Sequence, residues 1–201
     1  SVFNIEVQAA NASQMIINME KLNNMRRLNK YFLSAHGKIK AGAWLVGNYT
    51  ALEDDWHRLQ SKIPKLVFSI LYPAYFVIHR VFPKLPYLKN LYFLVTKGRN
   101  RKISRAEVLG RLTYCGYQII NESVQNSSSY FIAQKVHHPS VEQNPSYSPI
   151  VRLKRIGYQG ELITIYKLRT MHPYSEFIQK EVFKQNDLNE SGKLKNDFRL
   201  T

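Results

Sequence analysis

The sequence is poor in cysteine, in acidic residues and in long apolar runs. Its single cysteine, Cys115, cannot form an internal disulfide, which fits a reducing cytoplasm. The longest hydrophobic run covers thirteen residues, 66–78, and contains Pro73, so it is too short to span a bilayer. The chain has 29 Lys and Arg against 14 Asp and Glu, a net charge of +15. Its 201 residues, 44% of them hydrophobic, can bury a core in one domain or two.

The positive charge is concentrated in the middle of the chain. Residues 62–111 include eleven basic residues and one acidic residue, so ten of the fifteen net charges lie there. Such a segment predicts an anionic partner, and we expect an anionic membrane surface contacted through 62–111. Aromatic and basic residues are mixed around the run 66–78, which is typical of interfacial helices. Two core helices with a solvated basic face would have the same pattern, so the sequence leaves this choice open.

The sequence pattern of residues 1–136 predicts alternating strands and helices. A helix is expected to begin at Asn23 or Asn24 with apolar residues on one face, and capping boxes begin further helices at Thr50 and Ser104. The chain is expected to turn at residues 40–42. The predicted strands cover residues 14–19, 43–48, 117–124 and 130–136.

This order resembles the second half of a class I methyltransferase-like Rossmann domain. Lys40-Ala41-Gly42 is similar to the Leu-Lys-Pro-Gly-Gly turn of that family, and Cys115-Gly116-Tyr117 is similar to its Ala-Gly-Phe. The expected fold class is therefore α/β, a partial Rossmann-like sheet with helices, followed by a β-hairpin and a helix. The cofactor-binding half of such domains has a glycine-rich turn, and the sequence has none before Gln14, so we expect no binding of S-adenosylmethionine.

A hairpin is predicted near the end of the chain. Two apolar and basic runs, 150–156 and 162–171, flank Gly157-Tyr158-Gln159-Gly160, whose glycines suit a tight turn. Strand alternation puts Lys167 and Arg169 on one face with Ile163 and Ile165. Two cations on a rigid strand suit a diphosphate, because arginine binds phosphate oxygens as a fork and lysine adds a point charge. In the alternative interpretation these cations only prevent edge-to-edge aggregation.

The same segment resembles the opening of the bacterial sugar transferase family, the polyprenyl-phosphate sugar-1-phosphate transferases or monotopic phosphoglycosyltransferases. The likeness lies in Ser148-Pro149-Ile150, in Lys154-Arg155-Ile156-Gly157 and above all in Ile165-Tyr166-Lys167-Leu168-Arg169-Thr170-Met171. Asn196-Asp197-Phe198-Arg199-Leu200-Thr201 is similar to the family's Asn-Asp-Pro-Arg-apolar-Thr motif. The resemblance covers the last quarter of the chain.

The resemblance implies transfer of a hexose 1-phosphate from a UDP-sugar to polyprenyl phosphate, in the biosynthesis of surface polysaccharide or lipopolysaccharide. It also implies Mg²⁺ as a cofactor and a peripheral or monotopic location at the cytoplasmic face of the bacterial inner membrane. Lys167, Arg169 and Thr170 would bind substrate phosphates, with Asp197, Arg199 and Arg155 as supporting residues. The family's catalytic Asp-Glu dyad is expected beyond Thr201, so this chain alone is expected to be inactive.

These expectations divide the chain into three parts. Residues 1–136 form a partial methyltransferase-like region with basic helices at 62–103, residues 137–147 form a polar linker, and residues 148–201 begin a sugar transferase domain. The alternative function is a non-catalytic basic nucleic-acid-binding protein, which the net charge motivates. The sequence has no recognition-helix, zinc or RNA-binding signature, so we expect no nucleic acid partner.

Overall fold

The computed structural model describes residues 5–62, 64–85, 87–140 and 150–178. A four-stranded sheet has the order β1-β2-β4-β3, with β1 parallel to β2 and β4 antiparallel to both of its neighbours. Helix α1, Leu28–Lys38, connects β1 with β2, as a parallel pair requires. The predicted α/β class is therefore confirmed, with a mixed sheet. The strands are β1 Ser13–Ile17, β2 Ile39–Tyr49, β3 Tyr117–Gln125 and β4 Ser128–Lys135.

Helix α1 and strand β2 form much of the core. Leu28, Phe32 and Ala35 lie on one face of α1 and are buried, as their helical spacing predicted. Strand β2 alternates between buried and partly exposed residues from Ala43 onward. The predicted turn at 40–42 is wrong, because β2 runs through these residues and Gly42 adopts a φ of +73° within the strand. Glycine accepts this φ, and β2 pairs with β1 on either side of it, at Ile39 and at Trp44.

Four α-helices lie between β2 and β3 among the described residues. These helices are α2 Leu52–Lys62, α3 Lys65–Phe76, α4 Leu88–Thr96 and α5 Arg105–Tyr114, and a π-helical turn, Val77–Val81, and a 3-10 turn, Phe82–Lys84, follow α3. The cap predicted for α5 is confirmed, because the Ser104 hydroxyl accepts a hydrogen bond of 3.3 Å from the backbone N–H of Glu107. Among the described residues, no helix combines the length and apolar content needed to cross a bilayer.

Strands β3 and β4 form a hairpin with a two-residue turn. Asn126 and Ser127 both have positive φ, 50° and 58°, as a primed turn requires. The predicted turn was longer, because it counted residues 125–129 as polar connection, whereas β4 already begins at Ser128. The antiparallel order places β4 between β2 and β3. Residues that are distant in sequence thereby become neighbours, such as Leu45 and Ala133.

Strands β5, Ile150–Ile156, and β6, Leu162–Leu168, form a separate two-stranded hairpin. Its turn contains Gly160 with a φ of +83°, which confirms the glycine turn predicted there. Strand β6 ends at Leu168, so Arg169 and Thr170 lie just beyond it rather than inside the predicted run 162–171. The exposed aliphatic side chains on this hairpin include Ile156, Leu162, Ile163 and Leu168.

The chain after this hairpin returns to helix α5. The Tyr174 ring stacks over the Arg111 guanidinium at 4.2 Å and meets the Tyr114 ring at 5.5 Å. Its hydroxyl accepts a hydrogen bond of 2.8 Å from Asn29 Nδ2. Gly110 on α5 lies directly beneath, since a Cβ built there would be 2.0 Å from the Tyr174 carbonyl oxygen. The helix expected after the hairpin begins at 175, and its part after 178 lies outside the described residues.

Candidate phosphate-binding site

The register of the β5–β6 hairpin determines which side chains share a face. Lys167 pairs with Val151 and Arg155 pairs with Ile163, so both cations are on the face that carries Ile163 and Ile165. The prediction that Lys167 shares a face with these isoleucines is confirmed. Lys167 is exposed, so its ammonium can reach an anion from solvent.

Arg169 has different surroundings from Lys167. Its side chain is only 10% exposed, and its Nη1 lies 4.0 Å from Glu176 Oε2 in the segment that returns to α5. The guanidinium is thus held against the chain that follows β6. Thr170 is exposed beside it. The pair of cations predicted for one diphosphate therefore consists of an exposed lysine and a covered arginine with a carboxylate neighbour.

Among the supporting residues, Arg155 is placed apart from this pair. Arg155 is opposite Ile163, four residues along β6 from Lys167, which is a distance of about 13 Å at the rise of an extended strand. Arg155 and Lys167 therefore do not meet at one phosphate group in this arrangement. Asp197 and Arg199 lie outside the described residues.

The opposite face of the hairpin also carries cations. The Arg152 guanidinium lies 5.7 Å from the centre of the Tyr166 ring on the neighbouring strand. Lys154 pairs with Thr164 on the same face and is exposed. A two-stranded hairpin is marginally stable alone, and this one exposes aliphatic side chains on both faces. It is therefore suited to be covered by further protein.

The residues available for a metal do not fit a magnesium site. Within 5–62, 64–85, 87–140 and 150–178, no group of three or more His, Cys, Asp or Glu side chains is placed to hold an ion. Carboxylates are the protein groups that Mg²⁺ prefers, and near the hairpin the described carboxylates are Glu161 at its turn and Glu176, which is beside Arg169. No catalytic step is therefore assigned to a metal held by these residues.

Two groups of polar side chains that the sequence did not predict form hydrogen bonds within the fold. Asn23 Nδ2 donates to the carbonyls of Thr50 at 2.9 Å and Arg101 at 2.7 Å, which ties together three loops. Tyr49 donates to the Glu122 carboxylate, and burial, followed by that carboxylate, raises the pKa of Tyr49. These contacts join positions 27 to 78 residues apart, so local spacing gave no signal for them.

The lone thiol has no catalytic environment. Cys115 is fully buried at the end of α5, and this burial raises the pKa of its thiol to about 12. A reactive cysteine needs a lowered pKa and access to solvent. Cys115 is therefore a core residue.

Comparisons with known proteins add little to this geometry. No family model and no curated protein matches the chain. One similar solved structure is described as a possible exported protein from Bordetella parapertussis, with 12% identity over 66% of this chain and a TM-score of 0.38. Another is an O-methyltransferase family protein from Burkholderia thailandensis, with 18% identity over 71% of this chain and a TM-score of 0.37. This chain spans 42% and 34% of those two chains. At such TM-scores neither likeness supports an argument about function, and the sugar transferase resemblance rests on its motifs.

Proposed function

We propose that this chain is part of a sugar transferase that moves a hexose 1-phosphate from a UDP-sugar to polyprenyl phosphate. One observation carries the proposal: the motif that resembles the family forms a strand with an exposed Lys167, and Arg169 follows where the strand ends. Lys167 lies within the paired strand, and Arg169 follows two positions later, one residue beyond the last pair of the hairpin at Leu168. The product would begin a surface polysaccharide at the cytoplasmic face of the bacterial inner membrane.

In this proposal the two cations have separate tasks. Lys167 attracts the donor diphosphate as a point charge at the surface. When the donor binds, the guanidinium of Arg169 leaves Glu176 and binds two oxygens of a phosphate. The carboxylate at 4.0 Å keeps the guanidinium close to the strand before the donor arrives. Thr170 adds a hydroxyl donor beside it.

The chemistry implied by the resemblance has two steps. A carboxylate attacks the sugar-bearing phosphorus, the bond from that phosphorus to the UMP oxygen breaks, and UMP leaves. The phosphate of the lipid then attacks the same phosphorus and releases the carboxylate. The described residues near Lys167 would bind and orient the donor. The nucleophile in this proposal is a carboxylate of the Asp-Glu dyad that the resemblance implies.

We propose a methyltransferase-like arrangement for residues 1–136. The support is the strand order β1-β2-β4-β3 with its single parallel pair, since such domains end in an antiparallel strand inserted beside the parallel ones. The absence of S-adenosylmethionine binding stays a prediction. This part would act as an accessory module to the transferase.

Lys167→Ala in the full-length protein is expected to lower transfer of labelled hexose phosphate to polyprenyl phosphate by at least about tenfold, because one charge-assisted contact is lost. Lys154→Ala is the matched control, since Lys154 is an exposed lysine on the other face of the same hairpin. Its rate should stay close to that of the unchanged protein.

Equal losses in the two variants would contradict a specific role for Lys167. Absence of transfer with every UDP-sugar, together with tight and salt-sensitive binding of nucleic acid, would favour the non-catalytic alternative.

A further inference from the structure

Helix α3 packs with its aromatic side chains inward and its aliphatic side chains outward. Phe68 is buried and stacks on Tyr72 at 5.0 Å, and both rings contact Trp56 of α2, at 4.8 Å and 4.2 Å. Leu66 and Ile70, one turn apart on another side of the helix, are exposed, Leu66 by 77%. The aromatic inner face is thus packed against the protein, whereas the aliphatic outer face is exposed.

Helix α4 repeats this arrangement. Tyr92 is buried and its hydroxyl lies 3.1 Å from His79 Nδ1 in the π-helical turn, which fixes α4 against the end of α3. Leu91, Leu94 and Val95 are exposed, Leu94 by 75%. Monomeric proteins seldom expose neighbouring aliphatic side chains in this number, and such surfaces mark contact with a protein or a membrane.

Charge distinguishes these two partners. Lys97 and Arg99 are exposed directly after α4, and the Lys102 ammonium lies 5.1 Å from the centre of the Tyr75 ring of α3. The cores of protein interfaces are depleted in lysine, whereas interfacial helices combine an apolar face with lysine and arginine. Arg101 and Arg111 of this segment are buried, so the charges that complement an anionic lipid surface are exposed ones such as Lys97 and Arg99.

We propose that α3 and α4 lie on an anionic phospholipid surface, with Leu66, Ile70, Leu94 and Val95 among the acyl chains and Lys97 and Arg99 among the headgroups. With 12 and 9 residues, the helices reach only about 18 Å and 14 Å, so they rest at the interface of a core about 30 Å thick. The sequence left open whether these helices are interfacial or are core helices with a solvated basic face, and this proposal favours interfacial helices. It does not depend on the proposed transferase activity.

Cosedimentation of the full chain with vesicles tests this proposal. Binding is expected to vesicles of equal parts phosphatidylcholine and phosphatidylglycerol, to weaken as salt rises, and to be far weaker with phosphatidylcholine alone. Lys97→Glu with Arg99→Glu should weaken binding by at least about thirtyfold. Leu94→Glu with Val95→Glu should weaken it at least as much, because charge replaces apolar surface.

Val7→Glu with Val124→Glu is the matched control, since both valines are exposed and lie outside the two helices. This variant should bind like the unchanged chain. Equal binding to neutral and anionic vesicles, or equal loss in the control, would overturn the proposal. The proposal would also be overturned if the chain failed to bind vesicles and instead formed a dimer that Leu94→Glu with Val95→Glu dissociates. That result would assign the surface to a second copy of the chain. These substitutions should leave sugar transfer measured in detergent unchanged.

Discussion

Arg111→Met is expected to lower the free energy of unfolding by about 3–5 kcal/mol. Arg111 Nη2 lies 2.9 Å from Glu107 Oε1, and Nε donates to the same oxygen at 3.2 Å. Glu107 is fully buried, so removal of the guanidinium leaves a carboxylate in the core without its ion-pair partner. The variant also loses the ring contact with Tyr174. Urea unfolding followed by circular dichroism measures the change.

Two companion variants separate the buried pair from a general effect of charge removal. Glu107→Gln combined with Arg111→Met should recover at least about 1 kcal/mol relative to the sum of the single changes, because the buried charge is gone. Lys30→Met breaks the exposed pair of Lys30 with Glu6, 2.8 Å apart, and should cost less than about 1 kcal/mol. Similar costs for Arg111→Met and Lys30→Met would contradict the role of burial.

Gly110→Ala is expected to cost about 3 kcal/mol although alanine is the better helix former. Its Cβ would lie 2.0 Å from the Tyr174 carbonyl oxygen, and main-chain atoms cannot move aside as a flexible side chain can. The segment would leave α5 and lose the ring contacts with Arg111 and Tyr114 and the hydrogen bond with Asn29. Each such contact contributes about 1 kcal/mol.

Gly37→Ala provides the control within the same protein. Gly37 is also helical, in α1, but a Cβ built there meets nothing within 4 Å. This change should stabilise the protein by up to about 1 kcal/mol through helix propensity. If Gly110→Ala were as harmless as Gly37→Ala in urea unfolding, residues 172–178 would not be docked on α5 as described.

The sequence predicted the features that depend on neighbouring residues. The cap at Ser104, the buried face of α1 and the glycine turn at Gly160 all follow from spacings within a few positions. The turn at 40–42 was wrong, because β2 pairs with β1 on both sides of these residues, at Ile39 and at Trp44, so the strand continues across them. Long-range pairing of this kind leaves no local pattern.

In the candidate site, too, the sequence predicted the local feature and missed the long-range one. Alternation along β6 was sufficient to place Lys167 on its face of the hairpin. The covered position of Arg169 depends on Glu176 and on the docking of Tyr174 beside Arg111, and this contact joins residues 63 positions apart. The sequence therefore predicted the placement only of Lys167, the cation that lies inside a regular strand.

A doubly labelled donor tests the central claim most directly. The full-length protein would receive a UDP-sugar with radioactive phosphorus in the β position and tritium in the sugar, together with polyprenyl phosphate. Transfer of hexose 1-phosphate predicts that both labels enter the lipid in equal amounts while UMP is released. Tritium in the lipid without the phosphorus label would show transfer of the sugar alone, and no label in the lipid with any donor would show no transfer. Either result would contradict the proposed function.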